Sequence, residues 1–179
     1  MYTPKHVMDA IHEVFGPCAL DPASPAKPVH VQAAKWFTKE DNGLKQSWRI
    51  PDDEWLFLNP PWDERSKWQK KLHDEMACRN AHRAILIVPN KRSQAFDVLA
   101  DKAAIINLGL LAFGDMKTPY PLDVVCMLFG FDDETLDALL AAFPRHGIER
   151  AKIYRRNLHD GHRGTSAGFL TRIARRKGK

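Results

Sequence analysis

The sequence predicts an α/β fold, a three-layer sandwich built on a mostly parallel sheet. Short, continuously apolar runs such as Glu54–Leu58, Arg83–Pro89 and Asp123–Phe131 read as strands buried on both faces. Amphipathic helical patterns alternate with them, which places helices on both sides of the sheet. At 179 residues the chain is long enough for one domain with a sizeable core and short for two.

The elements follow in order. Val7, Ala10, Ile11, Val14 and Phe15 recur at helical spacing, and Gly16 stops that helix. Cys18–Asp21 reads as a short strand broken by Pro22 and Pro25. From Pro25 to Trp48 the pattern is weak: one short helix or strand, then a polar turn at Lys39–Gly43. Glu54–Leu58 is a strand, and Ser66–Asn80 a helix with Trp68, Leu72 and Met76 on one face. Arg83–Pro89 is a buried strand, followed by a helix that Ser93 opens as N-cap. Ala104–Leu108 is a strand, Leu110–Asp115 a short one, and Asp123–Phe131 another buried one. Asp132–Phe143 reads as a capped helix closed by Pro144 and Gly147. Arg150–Arg156 suggests a last strand, and Gly168–Lys177 a basic terminal helix.

Composition is that of an ordinary globular chain, 44% hydrophobic and 27% charged. No apolar run approaches a membrane span of ~18 residues, and the first residues lack a signal-peptide pattern. Cys18, Cys78 and Cys126 are far apart and odd in number, which argues for a reducing compartment without disulfides or structural zinc. The eight histidines show no metal-ligand spacing. The expectation is a cytoplasmic protein with no metal and no membrane partner. Charge is uneven: Ala151–Lys179 holds nine Lys and Arg against one acid, Asp160, and the rest of the chain is slightly acidic. Such a segment suits a polyanion, and Arg155, Arg156, Arg175 and Arg176 are its candidate nucleic-acid contacts. Residues 1–150 form the expected catalytic domain and 151–179 a basic segment of the same domain.

The stretch Phe57–Trp62, FLNPPW, carries the chemistry. A buried strand leaves the sheet at Asn59 through two consecutive prolines, which hold the corner stiff. The Asn59 amide oxygen and the carbonyl of Pro60 form two acceptors aimed at one point, suited to the N–H groups of an exocyclic amine. Trp62 offers an aromatic face for a planar base. Such a site works by positioning and electrostatics as positive charge grows on nitrogen. In an α/β fold, ligands sit beyond the C-terminal ends of strands, so LDPAS (Leu20–Ser24) would border the same crevice. Asp21 and Asp41 also suit plain turns, and the residues alone leave both readings open.

NPPW resembles the (D/N)PP(Y/F/W) motif of amino-methyltransferases. More specifically, the chain resembles the phage-type DNA N-6-adenine-methyltransferase (Dam-like) family. The matching pieces are YTP (Tyr2–Pro4), LDPAS, WFTKEDNGLKQSW (Trp36–Trp48) and FLNPPW, in that order. The resemblance implies a Rossmann-like methyltransferase fold and S-adenosylmethionine as cofactor. It implies that Tyr2, Thr3 and Pro4 meet the methionine end of the cofactor, that Asp21, Pro22 and Ala23 orient its amino-acid part, and that Asp41 meets its adenine or ribose. Asn59, Pro60, Pro61 and Trp62 would hold the target amine and base in double-stranded DNA, in a host cytoplasm if the chain is phage-encoded. Trp62 stands where Tyr or Phe is commoner. The alternatives are another amine (cytosine N4, RNA adenine, a protein glutamine) or a catalytically silent fold that binds DNA.

Overall fold

Val7, Met8, Ala10 and Ile11 form one buried stripe, and burying it is what makes Lys5–Phe15 the first helix, α1. The Pro4 carbonyl accepts from Val7 N and Met8 N at its start, and Gly16, at φ 67°, ends it. The structure, a computed structural model, describes residues 2–26, 28–114, 116 and 118–155, Tyr154 and Arg155 by backbone alone. The expected terminal helix at Gly168–Lys177 lies outside these residues, as do Arg156, Arg175 and Arg176.

After α1 come β1 (Cys18–Asp21), β2 (Ala33–Trp36), a 3-10 turn at Gly43–Lys45, β3 (Trp55–Leu58) and α2 (Arg65–Ala77). Then follow β4 (Arg83–Pro89), α3 (Gln94–Ala100), β5 (Ala104–Gly109), β6 (Val124–Phe129), α4 (Asp133–Arg145) and β7 (Lys152–Arg155). Ser93 caps α3 by accepting from Phe96 N at 3.2 Å, and Asp132 caps α4 by accepting from Thr135 N at 2.8 Å. Pro144 falls inside the last turn of α4 rather than closing it.

The seven strands form one sheet in the order β2-β1-β3-β4-β6-β5-β7. The pairings from β2 through β4 are parallel, and the three involving β6 or β7 are antiparallel. The sheet is therefore mixed, and the expected parallel arrangement is found on its β2-β1-β3-β4 side. The reason lies between β5 and β6: parallel neighbours need a crossover, usually helical, whereas only the loop Leu110–Asp123 joins these two. Within it, the expected strand at Leu110–Asp115 is absent from the described residues. Gly114 N bonds to the Tyr2 carbonyl at 3.1 Å and the Leu111 carbonyl accepts from Tyr120 N at 2.8 Å, so the segment spends its hydrogen bonds on the amino-terminal segment and on its own loop.

Side chains along β3 alternate between two cores. Trp55 and Phe57 pack with the stripes of α1 and α4; Leu56 and Leu58 pack with Trp68 and Leu72 of α2 and Phe96 and Leu99 of α3. No helix among the described residues is long and apolar enough to cross a membrane.

Candidate active site at the exits of β1 and β3

β1 and β3 are parallel neighbours, paired at Leu20 and Leu56, so Asp21 and Asn59 leave the sheet along the same edge. Between them opens a small cleft, lined among others by Tyr2, Thr3, Asp21, Ala23, His30 and Asn59. Two sequence motifs and the amino-terminal YTP thus meet at one place.

The amino-terminal segment is tied down by three contacts. Gly114 N donates to the Tyr2 carbonyl, His30 Nδ1 to the Thr3 carbonyl at 2.8 Å, and Asn59 Nδ2 to Thr3 Oγ1 at 2.9 Å. Thr3 is only 4% exposed as a result. Nothing in the sequence pattern pointed to His30, which sits in the weakly patterned stretch, or to Thr3 as a partner of Asn59.

Asp21 is buried at 4% exposure. Among the described residues its carboxyl takes one hydrogen bond, from Ala23 N to Oδ1 at 3.1 Å. Burial pushes its pKa up to about 7, with the Ala23 N–H opposing. Burial, and then the nearby Asp21, also push the Cys18 thiol up to about 12. A carboxyl so poorly compensated on a cleft wall fits a cationic group such as an ammonium. The turn beside it is fixed by close packing: a Cβ on Gly43 would come within 2.0 Å of the Pro22 carbonyl oxygen.

Asp41 is placed differently. It is exposed and accepts from Thr38 N at 2.8 Å and Thr38 Oγ1 at 2.9 Å, contacts that hold its pKa down. It builds the turn before Gly43 and is not among the residues lining the cleft.

At the NPPW corner, Pro60 is buried and Pro61 exposed, and the Pro61 carbonyl accepts from Glu64 N at the start of α2. Trp62 Nε1 donates to Asn59 Oδ1 at 3.1 Å. The Trp62 ring is 6% exposed, edge-on to Phe113 at 4.6 Å and to Tyr120 at 4.5 Å. The expectation of an open aromatic face therefore meets an enclosed ring. Trp48, Trp55 and Trp68 are buried in the two cores, in keeping with packing roles. Among the described residues no group of three or more His, Cys, Asp or Glu could hold a metal ion.

The family model described as DNA N-6-adenine-methyltransferase (Dam) matches residues 1–119. The chain belongs to this DNA N-6-adenine-methyltransferase family. Every residue lining the cleft falls within the match, as do NPPW and Phe113, whereas β6, α4 and β7 lie beyond it. No curated protein matches the chain. Enzymes of a DNA N-6-adenine-methyltransferase family act on DNA and generally draw their methyl group from S-adenosylmethionine.

Proposed function

We propose that the protein transfers a methyl group from S-adenosylmethionine to the exocyclic N6 amine of adenine in double-stranded DNA, on a three-layer, Rossmann-like methyltransferase fold. One observation carries this reading: the Asn59 carboxamide, held at both ends, sits on the same cleft as the buried Asp21 carboxyl. On this reading an amine-binding group and a cation-binding group line one cleft.

Asp21 would hold the ammonium of the cofactor, with Pro22 and Ala23 fixing its position and Tyr2, Thr3 and Pro4 closing over the methionine end. The cofactor, when bound, supplies an electrophilic methyl on a sulfonium, and its departure leaves a neutral thioether. Asn59 Oδ1 and the Pro60 carbonyl accept the two N–H bonds of the target amine, which localises the lone pair on nitrogen for bonding to the methyl carbon. They also stabilise the positive charge that grows there. The extra proton then leaves to water. Pro61 and Trp62 keep the corner rigid. The target base must be flipped out of the duplex, because its amine is otherwise paired. Residues 1–150 are the catalytic unit, and the basic segment 151–179, with Arg155, Arg156, Arg175 and Arg176, contacts the phosphate backbone.

The test is incubation with methyl-labelled cofactor and DNA of varied sequence, followed by nucleoside analysis. Label in N6-methyladenine is expected. Label in N4-methylcytosine, in RNA or in protein, or none at all, would overturn the assignment.

A further inference from the structure

The Asn59 carboxamide has two chemically opposite ends, donors on Nδ2 and lone pairs on Oδ1. Turning its last torsion by half a revolution exchanges them with almost no change of shape. Only one arrangement offers an acceptor to a target amine; the other sets N–H against N–H. Two contacts bear on the choice. Thr3 Oγ1 accepts from Nδ2 at 2.9 Å, but a hydroxyl can also donate and so tolerates either arrangement. Trp62 Nε1–H meets Oδ1 at 3.1 Å, and an indole N–H only donates, so it tolerates one. The indole is in turn held firmly. Its ring lies against Phe113 and Tyr120, and its own carbonyl accepts from Arg65 Nη1 at 2.8 Å.

We propose that Trp62 is a positioning residue whose indole N–H sets the orientation of the Asn59 carboxamide, so that Oδ1 rather than Nδ2 faces the target amine. The indole takes one lone pair of Oδ1 and leaves the second for the amine. Phe has no donor to place there, so the device depends on the tryptophan. It equally depends on an asparagine partner, because an aspartate has two equivalent oxygens and no orientation to choose. The role of the amine rests on the methyl-transfer reading above; the orientation itself does not.

The experiment is a double-mutant cycle of W62F and N59D, measuring kcat on duplex DNA and cofactor affinity by titration for all four proteins. W62F alone is expected to lower kcat about tenfold, the effect of one hydrogen bond, with cofactor affinity near the parent value. In the N59D background the same change should cost less than about twofold. Equal losses in both backgrounds would make Trp62 a packing residue and overturn the proposal. The second measurement needs neither DNA nor turnover: the Asn59 side-chain amide resonances in isotope-labelled protein. The parent should show one arrangement with a slowly exchanging Nδ2 proton, and W62F two arrangements or fast exchange. Unchanged resonances in W62F would overturn the proposal, whereas an altered resonance in a protein that methylates nothing would leave it standing and count against the function alone.

Discussion

The side chains of Thr3 and Asn59, 56 residues apart in sequence, share a 2.9 Å hydrogen bond that joins the amino-terminal segment to the exit of β3. Replacing Asn59 by Ala removes the acceptor for the target amine and frees the Thr3 hydroxyl. Methyl transfer should fall by roughly 10²–10³, the cost of removing one preorganised polar group from a transition state. Cofactor affinity should change far less, because Asp21 is untouched. Single-turnover rates and a binding titration on N59A check this; a rate near the parent value would remove Asn59 from the chemistry.

Asp21 makes cofactor binding depend on pH. Its carboxyl, raised to about 7 by burial, must ionise to hold an ammonium. Affinity should therefore weaken several-fold as pH falls from about 7.5 to 6. D21N should bind more weakly at the upper end of that range and lose the dependence. Titrations at three pH values decide, and a flat profile in the parent protein would count against the assignment.

The same group shapes the stability of the free protein, with the opposite slope. A carboxyl whose folded pKa stands above its unfolded value of 3.8 keeps its proton in the folded state while the unfolded chain has lost it. Stability therefore declines as pH rises from about 4 to 7, by roughly 4 kcal/mol if burial acts in full. D21N lacks this decline, so its Tm should exceed that of the parent by several degrees at about pH 8 and converge with it near pH 4. Thermal melts of both proteins across that range check it.

Gln69 on α2 is 0% exposed, and neither amide atom has a hydrogen-bond partner among the described residues. A buried unpaired polar group costs about 1–3 kcal/mol. Q69M, of similar length and without that need, should raise Tm by a few degrees. A lower Tm would mean the amide is satisfied in solution.

The basic segment is tested by salt. Replacing Arg155, Arg156, Arg175 and Arg176 together by Gln should weaken DNA binding alike for any sequence, because phosphate contacts carry no base information. It should also flatten the dependence of log affinity on log salt, by about 0.9 for each phosphate that is no longer neutralised. An unchanged slope would place the DNA elsewhere.

The elements that depend on side-chain pattern were legible in the sequence. The stripe Val7–Ile11 gave α1, and Ser93 and Asp132 gave the starts of α3 and α4. Strand direction was not, since an apolar run such as Val124–Phe129 looks the same whichever way it points; the clue was the lack of a helical pattern between β5 and β6. At the site, Asn59 and Asp21 were legible because prolines mark strand exits. His30, Phe113 and Tyr120 were not, nor was Thr3 as the partner of Asn59, because these contacts join distant parts of the chain. The role of Trp62 was read from its ring, while its indole N–H became visible only with its distance to Asn59.

The position of β6 between β4 and β5 has a consequence for the order in which the protein matures. Every residue lining the cleft lies at or before Asn59, and the parallel strands are complete by Pro89. Both neighbours of β6 are synthesised before it, so β4 keeps an open edge, and β5 has no place to dock, until Val124–Phe129 emerges. Long-range pairings of this kind form late and slowly, and an open strand edge is exposed to other chains meanwhile. Phe113 and Tyr120 lie on the loop that leads into β6 and settle against Trp62 with that insertion. A nascent chain therefore carries an open β4 edge until Val124–Phe129 emerges, and both the Gly114 tie to Tyr2 and the aromatic packing around Trp62 wait on the segment between β5 and β6.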